Sequence, residues 1–259
     1  RSPTYVVARP AEDPVANKLR ARLPTKLAYQ LIRWRNVLWG MYFFQLSRRK
    51  PDRVKQLILG GVRMALGRDY DIATHFTPRY NPWDQRLCLV PDGDLFKAIR
   101  DKQASVVTSE IDTFTAKGIR LKDGSELEAD IIVTATGFHL SVMGDIAFAV
   151  DDKPVDFADT VTYRGMMFTG VPNLVWVFGY FRASWTLRVD LVADFVCRLL
   201  THMKATGVKK VTPQLRPEDH NMPLLPWIDP ENFNPGYMMR GMHLMPKRGD
   251  KPEWQHNQD

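Results

Sequence analysis

Apolar residues recur at helical spacing from Pro14 to about Arg68, most clearly in KLAYQLIRWRNVLWGMYFFQL and RVKQLILGGVRMAL, so this stretch predicts three or four helices. Pro24 and Pro51 mark new helix starts, because a first turn tolerates a residue without an N–H. The β-branched residues of RSPTYVVARP predict the end of a strand before the helices. A proline-rich loop follows them, then a short strand at Leu87–Val90 and a helix from about Asp94 to Asp101. The period then drops to two. ASVVTSEIDTFTAKGIRLKDGSELEAD alternates like a small antiparallel meander, with Asp123-Gly124 as a hairpin turn. DIIVTATGF, residues 130–138, is a near-continuous apolar run and predicts a strand buried on both faces. It stops at a glycine, where the missing Cβ lets backbone approach something closely, often a nucleotide. Beyond it, FAVDDKPVDFA predicts a hairpin and GMMFTGVPNLVWVFGYF a second buried strand. SWTLRVDLVADFVCRLLTHMKATG predicts an amphipathic helix closed by Gly207, and the remainder from Val208 has no clear period.

This is α/β material with its helices grouped early, yet no G-x-G-x-x-G loop follows any strand. Composition adds limits. With 259 residues, 44% hydrophobic and 25% charged, the chain can build one large domain or two modest ones. Its most apolar early stretch, VLWGMYFFQL, is about half the ~20 residues needed to span a bilayer, which excludes a transmembrane segment there. Cys88 and Cys197 form neither a disulfide framework nor a zinc spacing, and the six histidines lack ligand spacing, so no metal is expected. No secretory leader is legible, and a cytoplasmic location is the expectation. The formal charge of +7 is unevenly placed: Arg1 to Arg68 carry 15 Lys or Arg against 3 acids. Such a field attracts an anionic membrane surface, nucleic acid or a phosphorylated cofactor. The plain reading is a solvated helical face, with Trp34, Trp39, Tyr42, Phe43 and Phe44 used in helix packing; substrate-tunnel lining or membrane contact is the alternative for these aromatics.

RSPTY, YNPWDQRLCLVPDGDLFKAIR, DIIVTATGF and GYFRASWTLRVDLVADFVCRLL together resemble the C-terminal part of class B flavoprotein monooxygenases, the Baeyer–Villiger enzymes. The match is nearest to the ethionamide-activating type and is collinear over nearly the whole chain. NPWDQRLCLVP and the ASWT helix are specific strings; the ATG turn alone is weak. The resemblance implies a flavoprotein with two Rossmann-like dinucleotide-binding domains, one for FAD and one for NADPH. Residues 1–134 would be the second half of the NADPH domain, including a helical insertion at about 14–80. Residues 135–259 would be the C-terminal part of the FAD domain. The family's two glycine loops and its F-x-G-x-x-x-H-x-x-x-W fingerprint do not occur here, so the chain is expected to be a fragment that is inactive alone.

Site residues follow from the residues and the resemblance together. An Arg closing the second strand of a dinucleotide fold accommodates the 2′-phosphate of NADP, a role for Arg1 with Ser2 beside it. The matching family arginine to Arg86 lies over the flavin, where a permanent cation stabilises negative charge during oxygen transfer. The alternative is an ion pair from Arg86 to Asp84 or Asp92 that holds a loop. Ala135, Thr136 and Gly137 would approach the cofactors through backbone and the Thr hydroxyl. Ser184, Trp185 and Thr186 start a helix whose N-terminus can face an anionic flavin ring, or else Ser184 is an N-cap and Trp185 core.

The implied activity is FAD- and NADPH-dependent insertion of oxygen from O2 into a ketone through a C4a-peroxyflavin, giving an ester or lactone. S- or N-oxygenation of a thioether or thioamide is the near alternative. The third reading is a non-catalytic basic helical module for a membrane or nucleic acid. On the enzyme reading nucleic acid is not a partner, and peripheral membrane association stays open.

Overall fold

The computed structural model describes residues 2–181 and 185–256. The chain divides into two compact units, residues 1–135 and 136–259.

In the first unit, β1 (Val6–Arg9) pairs in parallel with β2 (Cys88–Pro91), Val6 opposite Cys88 and Arg9 opposite Pro91. Parallel strands need a long crossover, and here it carries α1 (Pro14–Arg22), α2 (Thr25–Arg49), α3 (Pro51–Leu66) and the short α4 (Ile72–Phe76). Asp13 starts α1 by accepting from the Val15 and Ala16 N–H groups, and it also pairs with Arg35 of α2. Pro51 occupies the first turn of α3, as its fixed φ favours. Val54, Ile58 and Val62 recur every fourth residue of α3 and are buried. Val62 joins Val6, Phe76 and the α5 (Asp94–Arg100) residues Phe96 and Ile99 in one core cluster. Val54 and Ile58 join Tyr5, Phe43 and Leu46 in a second. The Tyr5 hydroxyl donates to the Tyr80 carbonyl at 2.8 Å, and burial pushes its pKa up to about 12.

The predicted meander forms as β3 (Ile111–Thr115), β4 (Gly118–Leu121) and β5 (Glu126–Glu128), all antiparallel. Gly124 sits at φ +88° in the turn, where Asp123 accepts from the Ser125 N–H at 2.9 Å.

Among its described residues the second unit holds three two-stranded ribbons, β6 (Ala149–Val150) with β7 (Lys153–Pro154), β8 (Thr162–Tyr163) with β9 (Met167–Phe168), and β10 (Leu225–Pro226) with β11 (Lys247–Arg248). Helix α6 runs Trp185–Thr206 and is followed by Gly207 at φ +72°; α7 is Gly236–Gly241. The ribbons are too short to be stable alone, so packing between rings carries the unit. Trp176 touches Phe178 and Trp227 at 5.0 and 5.3 Å, and Phe181 stacks on Phe233 at 5.7 Å. Asp219, buried, accepts from Arg216 Nε at 2.9 Å, Trp254 Nε1 at 3.1 Å and Lys251. These donors hold its carboxyl well below the usual range.

Three expectations need correction. Residues 130–138 form no strand, and Ile131 and Val133 are each 82% exposed. A strand covered on both faces needs neighbours on both edges, and no described strand pairs with this run. In GMMFTGVPNLVWVFGYF only Met167–Phe168 enters a ladder; Trp176 and Phe178 spend the apolar character on ring packing instead. On α2, Trp34, Trp39 and Tyr42 face outward, while Phe43 and Phe44 are half-buried. Helices α1 and α3 cover one side of α2 through Ala28, Ile32 and Ser47 and leave the other bare.

Candidate functional site

Arg86 lies between the proline-rich loop and β2, exposed, with no hydrogen bond or ion pair among the described residues. The loop-anchor alternative finds no support in the geometry. Asp84 instead pairs with Arg48 of α2 at 2.8 Å and caps the Asn81 N–H at 3.1 Å. Asp92 accepts from the Ala11 N–H at 3.0 Å. Arg86 is therefore a cation that no carboxylate neutralises among the described residues. Ser2 is exposed ahead of β1, and Ala135 is exposed at the end of this unit. Arg1 lies outside the described residues.

In the second unit, Thr136 and Gly137 are exposed. Gly137 has φ +94°, and a Cβ built on it would meet nothing within 4 Å, so the turn is both glycine-specific and open. Ser184 lies outside the described residues. Trp185 and Thr186 form the first turn of α6, and Thr186 is exposed. Trp185 is 44% exposed, but its ring meets Phe178 at 4.8 Å. A Cβ on Gly179 would come within 2.2 Å of Trp185 Cγ, so this tryptophan is seated directly on glycine backbone. That geometry agrees with packing by Trp185.

One turn further along α6, Arg188 is buried, donating from Nη2 to the Arg164 carbonyl at 2.8 Å, with its guanidinium 5.9 Å from the Tyr180 ring centre. Burial lowers its pKa. His256, also buried, stacks on Trp227 at 4.0 Å, and burial, then Arg188 and Arg248, push its pKa down to about 2. Gly165 makes room for both: at φ +66°, a Cβ there would fall 2.5 Å from His256 Cδ2 and 2.9 Å from Arg188 Nη2. No sequence spacing marks this cluster, because Gly165, Arg188, Trp227 and His256 lie 23 to 91 residues apart and meet only through packing.

The described residues also line open pockets. One of about 590 Å3 is lined by Tyr70, Asp71, His75 and Lys102, another of about 430 Å3 by Tyr163, Phe195, Leu199 and Trp254. Neither includes a residue nominated from the sequence.

Comparison with known proteins places these residues in context. Over all 259 residues the chain is 44% identical to FAD-containing monooxygenase EthA of Mycobacterium tuberculosis. The chain is homologous to FAD-containing monooxygenases. EthA of Mycolicibacterium smegmatis is equally similar at 44%, and a protein named "Probable FAD-binding monooxygenase AlmA" from Acinetobacter baylyi is 43% identical over 254 residues. The chain spans about half the length of these relatives, 52% of either EthA and 50% of AlmA, while 98–100% of its own residues are aligned. No family model matches it, and no solved structure is significantly similar. Among the described residues no helix is long and apolar enough to cross a membrane.

Proposed function

We propose that this chain is the C-terminal half of an FAD- and NADPH-dependent monooxygenase of the Baeyer–Villiger type. The reaction would convert a ketone, O2, NADPH and a proton into an ester or lactone, NADP+ and water. One observation carries the reading: 44% identity to FAD-containing monooxygenases over every residue of the chain. On this reading residues 1–134 belong to the NADPH domain and 135–259 to the FAD domain. Bound together, FAD would supply oxygen activation and NADPH the hydride.

The residues present fit such groups in their chemistry. Arg86 has an unneutralised guanidinium, as a residue facing developing negative charge requires. It cannot lose its proton in a water-poor site, so its charge is permanent. Gly137 offers an open backbone turn that a ring or phosphate can approach closely. Ser2, with Arg1 before it, would hold the 2′-phosphate of NADPH through hydroxyl and guanidinium donors. Trp185 and Thr186, in the first turn of α6, would turn the positive end of a 22-residue helix toward an anionic ring. Trp185 supports that turn from behind by its seat on Gly179.

The test is turnover by the complete protein that carries this chain. It should purify with bound flavin, oxidise NADPH in the presence of a ketone, and yield an ester bearing one heavy-isotope oxygen when supplied with labelled O2. Absence of flavin, or an ester without label, rejects the reading. A thioether assayed in parallel separates the oxygenation of sulfur from insertion beside a carbonyl.

A further inference from the structure

Helix α2 carries two apolar faces, and the fold uses one. Ala28 and Ile32 pack against α1 through Ala16, Leu19 and Leu23, which accounts for the buried side. Leu27, Leu31, Trp34, Leu38 and Met41 recur at alternating spacings of four and three, so they share another stripe along about four turns. That stripe is bare: Trp34 is 62% exposed, Leu38 61% and Met41 60%. Tyr42 and Trp39, whose rings lie 5.8 Å apart, extend the exposed apolar surface. An apolar face of this size on a soluble surface marks a docking site.

The charge around it indicates the occupant. Helix α2 contains Lys26, Arg33, Arg35, Arg48 and Arg49 and no acid at all; Asp13 pairs with Arg35 and Asp84 with Arg48, which leaves Lys26, Arg33 and Arg49 without an ion pair among the described residues. Across α1 to α3, residues 14–66, Asp52 is the single acid among twelve Lys and Arg. A second copy seated on the stripe would bring two such basic surfaces together and be repelled. A nucleic acid would satisfy the charge, yet the stripe offers it leucine and methionine. An anionic bilayer surface satisfies both: phosphate headgroups face the cations, and the side chains enter the acyl boundary. Trp and Tyr are the residues most at home at that depth, and long Lys and Arg stems reach back to the headgroups. With five cations in 25 residues, α2 is suited to lie on a membrane and unsuited to cross one.

We propose that α2 docks the protein on an anionic lipid surface through Leu27, Leu31, Trp34, Leu38 and Met41, with the basic residues of α1 to α3 as its electrostatic partners. This assignment rests on α2 alone and is independent of the oxygenation chemistry.

The experiment uses the complete protein with vesicles of phosphatidylcholine alone or mixed with phosphatidylglycerol. Cosedimentation should require the anionic lipid, weaken with salt, and shift tryptophan fluorescence to the blue. The double variant Trp34→Asp with Leu38→Asp should weaken binding by more than about tenfold, through lost apolar burial. Lys26→Glu with Arg49→Glu should weaken binding to the anionic vesicles specifically. Both pairs are exposed, so flavin content and thermal midpoint should match the wild type. Three results overturn the assignment. A dimer in light scattering that Trp34→Asp dissociates, without vesicle binding, assigns the stripe to a second copy. No vesicle binding together with a lowered midpoint for Trp34→Asp assigns it to another part of the same polypeptide. Tight DNA binding that ignores Trp34→Asp, without vesicle binding, assigns the charge to nucleic acid.

Discussion

Lowering the pH from 7 to 5 should destabilise the 136–259 unit by about 2 kcal/mol through His256 alone. The histidine lies buried against Trp227, and its folded pKa is pushed down to about 2 by burial and by the charges of Arg188 and Arg248. In the unfolded chain its pKa is about 6.5. Between these values the unfolded chain takes up a proton that the folded protein refuses. The stabilisation is therefore fully present above pH 6.5 and is lost as pH falls toward 2, at about 1.4 kcal/mol per pH unit. Both arginines stay charged throughout, so they oppose the imidazolium at every pH in the window.

The assay is urea unfolding followed by tryptophan fluorescence at pH 7 and pH 5, on the wild type and on His256→Phe. Phenylalanine keeps a ring on Trp227 and removes the titrating group, while every other titration is common to both proteins. With a urea slope of about 1–3 kcal/mol per molar, the acid shift of the wild-type midpoint should exceed that of the variant by roughly 1 M. Identical acid shifts in the two proteins would refute the reasoning, because the proton would then enter the folded site without penalty.

Three other outcomes follow from the geometry. Phe168→Ala removes a fully buried ring packed on Phe157 at 4.8 Å and Trp176 at 5.6 Å, and should cost about 3–5 kcal/mol in the same urea assay. Gly118→Ala would put a Cβ 2.0 Å from the Leu127 carbonyl oxygen, so the β4–β5 pairing should open; amide exchange at Ile119 and Arg120 should accelerate while α3 stays protected. In the complete enzyme Arg86→Ala should lower ester formation by about a hundred- to a thousand-fold with normal flavin content, and a near wild-type rate would remove Arg86 from the reaction.

Local physics made much of the fold legible. Helix starts just after Pro24 and at Pro51, the turn at Asp123-Gly124 and the stop at Gly207 all depend on residues within a turn of the boundary. Apolar runs were less informative, because hydrophobicity states that a residue avoids water and not what covers it. Residues 130–138 read as a buried strand and are exposed; Trp34, Trp39 and Tyr42 read as packing and face outward. The site divides the same way. Arg86 stood out locally as a cation amid apolar neighbours, and the structure adds that Arg48 and the Ala11 N–H occupy the carboxylates that could have neutralised it. Arg188, Gly165, Trp227 and His256 meet only in three dimensions, so nothing along the chain announced them.

The two exposed apolar features call for different partners, and backbone chemistry separates them. Helix α2 satisfies its own N–H and C=O groups, so its bare stripe asks only for an apolar phase, which a lipid surface supplies. None of the backbone groups of residues 130–138 is hydrogen-bonded to protein among the described residues. Such a run lowers its free energy by gaining ladder partners, which lipid cannot offer and another strand can. Methylated lipid chains would shield Ile131 and Val133 but leave those amides unsatisfied, at a cost of several kcal/mol for each group. Protein is thus a fitting cover for Ile131 and Val133, which are each 82% exposed. The membrane assignment for α2 follows from apolar side chains on a helix whose backbone is satisfied, whereas the cover for 130–138 follows from backbone groups without a protein partner among the described residues.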